Sequence, residues 1–207
     1  MSKDRAGHWE KVYGEKGETQ LSWHQGDPAI SLELCELAGI TKSSGVIDIG
    51  AGTSCFDARL IARGLADVTV FDLSATAIEG ARRQIGKLSD AINWVVADIT
   101  NWTPGRTYDL WHDRAAFHFL VDQKDRDAYV NRLRRALHPG GHVIIATFAP
   151  DGPEKCSGLP TFRYDRESLG CTLGKGFSLV THRRDIHHTP WGSPQSFQYS
   201  LFLRQGQ

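Results

Sequence analysis

Short apolar, β-branched runs alternate with longer segments of helical periodicity through most of the chain. The strand-like runs occupy residues 46–49, 68–71, 92–96, 108–112 and 142–148. Between them, apolar residues recur at three- and four-residue spacing, as at Ala77, Ile78, Ala81 and Ile85, which is typical of an amphipathic helix. Alternation of this kind predicts an α/β fold with a parallel sheet covered by helices on both faces.

The last part of the chain breaks this alternation. Residues 177–187 and 196–204 read as two long strands joined by a turn at 190–194. Two strands connected in this way pair antiparallel. The sequence therefore predicts a doubly wound, mostly parallel seven-stranded sheet with a C-terminal antiparallel hairpin on one edge.

Two segments, residues 1–26 and 149–164, show no regular periodicity. The second is long for a structureless loop, and such loops tend to be functional lids. We expect residues 1–26 to form a lid-like segment over a cleft. We expect residues 149–164 to form a loop on the side of the cleft where a second substrate, the acceptor, would bind. A length of 207 residues fits one domain, 1–207, since domains typically have about 100–200 residues.

The composition excludes several classes of protein. Twenty-four basic residues balance 24 acidic ones, which gives no reason to expect a nucleic-acid partner. No apolar run approaches the roughly 20 residues that span a bilayer, so no membrane partner is expected. The charged opening MSKDRAGHWEK does not resemble a secretory signal, and the four cysteines are widely spaced. These features predict a cytoplasmic protein with free thiols.

Acidic residues follow three predicted strands. Asp48, Gly50 and Gly52 lie where the first strand meets the next helix, and glycines at such a turn let the backbone approach a ligand closely. Asp72 ends the second strand, where a carboxylate can accept hydrogen bonds from ribose hydroxyls. Asp98 ends the third strand. Because these strand ends meet at one edge of a parallel sheet, the residues predict a nucleotide- or nucleoside-binding crevice.

The glycine turn also constrains the ligand. A dinucleotide site prefers Gly-x-Gly-x-x-Gly, which places a pyrophosphate at the helix N-terminus, and this turn lacks the third glycine at that spacing. Asp48 precedes the first glycine and would repel a phosphate while suiting a cationic amine. The turn therefore favours a ligand with adenosine at one end and an amino acid at the other.

The segments VIDIGAGTS, VFDLS, VVADI, YDLWHDRAAFHFL and LHPGGHVIIATF together resemble the class I S-adenosylmethionine-dependent methyltransferases over residues 40–150. The resemblance implies S-adenosylmethionine as cofactor, with S-adenosylhomocysteine as product. It implies that Gly50 and Gly52 lie near the donor's amino-acid portion, that Asp72 binds the ribose diol and that Asp98 with Ile99 contacts adenine. The full set of implied donor-binding positions is Trp9, Tyr13, Trp23, Asp48, Gly50, Ala51, Gly52, Asp72, Leu73, Ser74, Ala97, Asp98, Ile99, His112 and Asp113.

Candidate catalytic bases lie near the end of the fourth strand. His112, Asp113 and His118 are the main candidates, with His188 as a further one, since histidine titrates near neutrality. For Asp113 we favour donor binding over proton transfer, and for His118 a structural, hydrogen-bonded role is the alternative. No metal is expected, because neighbouring residues on a strand such as His187 and His188 point to opposite faces.

The leading hypothesis is a methyltransferase that acts on a nitrogen, oxygen or sulfur atom of a small-molecule acceptor. One alternative is a protein-lysine N-methyltransferase, and another is a donor-binding protein without catalysis. A dinucleotide-dependent dehydrogenase is disfavoured by Asp48 and by the glycine spacing. The sequence leaves open whether the protein is a monomer or a homodimer, and whether Cys156, His187 or His188 contacts substrate.

Overall fold

The computed structural model describes residues 4–17 and 20–206. Residues 1–3 and 18–19 of the predicted lid-like segment lie outside the described residues. The helices are α1 (Arg5–Glu15), α2 (Ala29–Leu37), α3 (Phe56–Ala62), α4 (Ala75–Ile85), α5 (Gln123–Ala136) and α6 (Arg166–Leu173). The strands are β1 (Gly45–Ile49), β2 (Asp67–Asp72), β3 (Ile92–Val96), β4 (Tyr108–Arg114), β5 (Leu137–Phe148), β6 (Lys155–Cys156), β7 (Leu159–Pro160), β8 (Phe177–His188) and β9 (Pro194–Arg204).

Seven strands form one sheet in the order β3-β2-β1-β4-β5-β9-β8. Strands β1 to β5 are parallel, and β9 pairs antiparallel with both β5 and β8. The predicted fold class is therefore confirmed, including the C-terminal hairpin. The strand order reverses between β1 and β4, and in sheets of this kind ligands bind at the carboxyl ends of the strands beside that reversal.

Helices cover both faces of the sheet. Leu34 of α2, Leu60 of α3 and Ile78 of α4 join one buried apolar cluster, while Leu133 of α5 and Leu169 of α6 join the other. All five residues of β1 are buried, which explains why the strand is apolar apart from Asp48. Among the described residues, no helix has both the length and the apolar character to cross a bilayer.

Regular structure also forms in three segments where none was predicted: α1, the β6–β7 hairpin and α6. Helix α1 buries no residue completely, so its sequence shows no clear apolar stripe. Strands β6 and β7 pair as a short hairpin whose turn residues, Ser157 and Gly158, both have positive φ. Helix α6 begins with a capping box between Asp165 and Ser168, and this signal was present in the sequence.

Candidate active site

A pocket that is open to solvent at its mouth lies at the carboxyl edge of β1 to β4. Its wall is mostly apolar, as is usual in small-molecule sites. Of the predicted donor-binding residues, Trp9, Tyr13, Trp23, Gly50, Asp72, Leu73, Ala97, Asp98 and Ile99 line it. The structure therefore brings residues from α1, the β1 turn and the ends of β2 and β3 into one site.

The glycine turn after β1 is closely packed. Gly50 and Gly52 have φ values of +64° and +56°, which favour glycine. A Cβ at Gly50 would collide with Ala116, and one at Gly52 would collide with the Tyr13 hydroxyl. The amides of Gly50 and Ala51 donate to the Phe71 carbonyl at 2.8 and 3.2 Å. These two amides are therefore not free to bind a phosphate.

Asp72 is the last residue of β2 and lines the pocket. Its Oδ2 accepts from the Gly52 amide and its Oδ1 from the Ser74 amide, each at 2.8 Å. Burial raises the pKa of Asp72 to about 6, since an apolar environment disfavours the charged form. The Ser74 hydroxyl accepts from the Ala77 amide and caps α4, so Ser74 is buried in a structural role beside the pocket.

Asp98 lies at the other end of the pocket. Its Oδ1 accepts from the amide and the hydroxyl of Thr100, at 2.8 and 2.7 Å, and its Oδ2 accepts from Arg5 at 3.1 Å. Partial burial raises the pKa of Asp98, but the hydrogen bonds from Thr100 and the Arg5 charge lower it below its ordinary value overall. Asp98 is therefore an ionised carboxylate at neutral pH.

Helix α1 covers the pocket and is held at two points. Arg5 also donates to Asp125 of α5 at 3.0 Å. Glu10 accepts from the Ala75 and Thr76 amides at 2.6 and 3.3 Å, so it occupies the N-terminus of α4, where a negative charge is favourable.

The side chains that α1 places over the pocket are aromatic. The Trp9 ring lies 5.6 Å from that of Trp23 and 5.0 Å from that of Phe119. Tyr13 lies 6.1 Å from Trp23. These rings form an apolar cover over the pocket beneath α1.

A smaller, more polar pocket adjoins the first. Among the residues that line it are Trp23, Asp48, Gly50, Ala51, His112 and Arg114. Nδ1 of His112 lies 2.6 Å from Oδ1 of Asp48, and Nε2 lies 2.9 Å from Oγ of Ser31. Burial lowers the pKa of His112 to about 4, while burial and the nearby Asp113 raise the pKa of Asp48. Because both ring nitrogens of a neutral His112 are engaged, it positions Asp48 rather than accepting a proton from a ligand.

Asp113 and His118 line neither pocket. Asp113 is fully buried; its Oδ1 accepts from the Ala116 and Phe117 amides at 3.0 and 3.1 Å, and its Oδ2 from the Tyr129 hydroxyl at 2.7 Å. Nδ1 of the buried His118 accepts from the Phe148 amide at 3.3 Å, and burial lowers the pKa of His118 to about 3. Both residues hold the segment after β4 in place.

Sequence reasoning missed Arg114, which lines both pockets. Its Nε donates to the Tyr199 hydroxyl and its Nη1 to the Trp23 carbonyl, both at 2.9 Å. Arg114 closely follows a predicted strand. The polar residues at the ends of the other predicted strands were taken as candidate site residues, and the same reasoning could have identified Arg114. Cys156, from the β6–β7 hairpin, also lines the larger pocket.

The histidines of β8 lie outside both pockets. Nε2 of His187 lies 2.8 Å from the Ser22 carbonyl oxygen, and His188 is exposed. Over residues 4–17 and 20–206, no group of three metal-ligating side chains is arranged to hold an ion.

Comparison with known proteins shows what part of the chain is similar to. A family model described as "Methyltransferase domain" matches residues 46–141. Malonyl-[acyl-carrier protein] O-methyltransferase 1 of Ilyobacter polytropus is 29% identical over 111 residues, which cover 53% of this chain and 40% of that protein. The match thus spans less than half the length of this curated relative.

Solved structures show the same fold over nearly the whole chain. An S-adenosylmethionine-dependent methyltransferase from Anabaena variabilis has a TM-score of 0.77 at 14% identity, covering 99% of this chain and 96% of that one. The N-methyltransferase NodS from Bradyrhizobium japonicum, in complex with S-adenosylhomocysteine, has a TM-score of 0.73 at 17% identity, covering 98% and 100%. The chain therefore shares the fold of S-adenosylmethionine-dependent methyltransferases of known structure, and residues 46–141 match a methyltransferase domain.

Proposed function

We propose that this protein transfers a methyl group from S-adenosylmethionine to a heteroatom of a small-molecule acceptor. The observation that carries the proposal is the Asp72 carboxylate at the end of β2, fixed by the Gly52 and Ser74 amides at the wall of an apolar pocket. Such a carboxylate suits a ribose diol. The engaged amides of Gly50 and Ala51 argue against a pyrophosphate, and hence against a dinucleotide-dependent dehydrogenase.

The residues present fit the cofactor from end to end. Asp72 would accept hydrogen bonds from the ribose, and Asp98 with the apolar side chains of Leu73 and Ile99 would hold the adenine. Asp48 and Gly50, in the adjoining polar pocket, would hold the amino-acid portion. When bound, the cofactor supplies a methyl carbon that is activated by positive sulfur.

The protein's own contribution is alignment and exclusion of water. The faces of Trp9 and Trp23 complement a positive charge, and α1 with the β6–β7 hairpin encloses the reacting groups. Holding two reactants in line replaces a bimolecular encounter with an effectively unimolecular step. We propose residues 4–17 and 20–26 as the cover over the donor and residues 149–164 as the acceptor-side wall.

Donor affinity is expected to depend on the ionisation of Asp72. The pKa of Asp72 in the free protein is raised to about 6, and ribose hydroxyls donate to its charged form. Affinity for S-adenosylhomocysteine should therefore be full above pH 7 and fall by up to about tenfold per unit as the pH drops below 6. Calorimetry near pH 6, in buffers of different ionisation enthalpy, should show proton release on binding. An affinity that does not change between pH 5 and pH 7.5 would contradict this assignment.

A small-molecule acceptor is favoured over a lysine side chain because α1 covers the pocket with aromatic rings and the pocket wall is mostly apolar. Two of the relatives named above differ in their acceptor atom, since one is an O- and the other an N-methyltransferase. Calorimetry should detect binding of S-adenosylhomocysteine and no binding of NAD. With methyl-labelled donor and a cell extract, label should pass to low-molecular-weight material. Discrete labelled protein bands would instead support the lysine alternative, and absence of binding would refute the proposal.

A further inference from the structure

Arg114 is a cation that no carboxylate neutralises within the described part of the chain. It ends β4 and lines both pockets, and it forms no salt bridge to any residue in 4–17 or 20–206. Tyr199 and the Trp23 carbonyl engage Nε and Nη1. Its Nη2 is buried and donates to no atom of the described residues. The guanidinium is thus held in a fixed orientation with donors to spare.

Among the described residues in the wall of the larger pocket, no group is well placed to remove a proton from an acceptor. His112, Asp113 and His118 do not line it. Asp72 and Asp98 already accept two and three hydrogen bonds from the protein. In the wall, the Tyr13 phenol is partly buried and the Cys156 thiol is buried, and burial raises the pKa of both. The wall therefore suits a nucleophile that needs no deprotonation before it attacks, and a carboxylate is one.

We propose that the acceptor is a carboxylic acid bound as its carboxylate, that Arg114 binds this group, and that the product is a methyl ester. This inference rests on the proposed function. One carboxylate oxygen stays hydrogen-bonded to the guanidinium. A lone pair of the other oxygen forms a bond to the methyl carbon while the carbon–sulfur bond breaks and its electron pair remains on sulfur. The negative and positive charges cancel, and no proton is transferred.

The surroundings of Arg114 specify the rest of the acceptor. Trp9, Trp23 and Phe119 line the same pocket, and the Arg114 guanidinium lies over the Phe197 ring at 4.8 Å. Aromatic walls favour an apolar or aromatic body. The acceptor is then an amphipathic acid, with a carboxylate at Arg114 and an apolar portion under α1.

The test compares acids with their uncharged amides on the full chain saturated with S-adenosylhomocysteine. The pairs are phenylacetate with phenylacetamide, indole-3-acetate with indole-3-acetamide, and hexanoate with hexanamide. Binding is followed by quenching of tryptophan fluorescence. The acids should bind at millimolar or lower concentrations and roughly 10- to 100-fold more tightly than the amides, as a charge-assisted hydrogen bond implies.

Arg114→Gln should abolish the preference for acids, while Arg114→Lys should retain part of it because the charge remains. Arg63→Gln, at an exposed arginine that pairs with Glu36 and lines neither pocket, should keep the full preference. Both Arg114 variants should bind S-adenosylhomocysteine within about threefold of wild type, which also reports their folding. Loss of donor binding in Arg114→Gln, with a cooperative thermal transition retained, would assign Arg114 to the donor's carboxylate and overturn the proposal.

Two further results would overturn the proposal: equal binding of acids and amides, or no binding of any acid at millimolar concentration.

The label transferred to low-molecular-weight material gives an independent readout. Mild base should release it as volatile methanol, as it does from methyl esters, whereas base-stable label would contradict ester formation. If wild type does not bind S-adenosylhomocysteine, the proposed function itself fails, and this outcome is distinct from the others.

Discussion

Asp72→Asn is expected to weaken binding of S-adenosylhomocysteine by about 100-fold or more. The substitution removes the charge that would accept two ribose hydroxyls, and hydrogen bonds to a charged group contribute about 1.5–3 kcal/mol each. In the wild-type protein, the Gly52 and Ser74 amides donate to the two carboxylate oxygens of Asp72. The substitution places an NH₂ group, which is itself a donor, against one of these two amides. Isothermal titration calorimetry at pH 7.5 measures the loss directly.

Asp67→Asn is the matched control for this measurement. Asp67 begins the same strand that Asp72 ends, and its carboxylate pairs with Arg106 on the opposite edge of the sheet. This variant should bind S-adenosylhomocysteine as tightly as wild type. If Asp72→Asn also binds as wild type does, the ribose assignment and the donor site built on it are refuted.

Asp113→Ala is expected to destabilise the protein without altering the donor site of the molecules that remain folded. The substitution leaves the Ala116 amide, the Phe117 amide and the Tyr129 hydroxyl without their buried acceptor. Unsatisfied buried donors cost about 1–3 kcal/mol each, so we expect a loss of about 3 kcal/mol or more. In a protein of this size, such a loss lowers the melting temperature by roughly 6–12 °C.

Asp122→Ala provides the comparison for Asp113. Asp122 is exposed at the start of α5, and its side chain caps no amide, so its removal should change stability by less than about 0.5 kcal/mol. Denaturant titration followed by tryptophan fluorescence separates the two variants. If Asp113→Ala keeps wild-type stability but loses affinity for S-adenosylhomocysteine, Asp113 contacts the donor after all.

The end of β4 shows how far sequence reasoning reaches. Strand prediction correctly places His112 and Asp113 near the carboxyl end of β4. It does not settle which face each side chain occupies. Side chains alternate along a strand, so His112 and Arg114 meet the pockets while Asp113 turns to Tyr129 on the other face. Two neighbouring residues on the strand can therefore have different roles, one in the site and one in support of the fold.

Helix α1 lay beyond prediction for a different reason. The hydrogen bonds and ion pairs that hold this helix in place join residues far apart in sequence, such as Glu10 with Ala75 and Arg5 with Asp125. Pairings of this kind leave no periodic signal. The aromatic residues Trp9 and Tyr13 could be named from the resemblance, whereas their packing against Trp23 and Phe119 depends on how the chain folds back.

The attachment of α1 has a consequence for the timing of turnover. The helix is held through Asp98, which lines the larger pocket, and through the start of α4, three residues after Asp72. Release of the spent cofactor would then wait until both contacts open, and the time for which it stays bound would limit the number of cycles per second. Because the Arg5–Asp98 contact is a partly exposed ion pair, added salt should shorten that time.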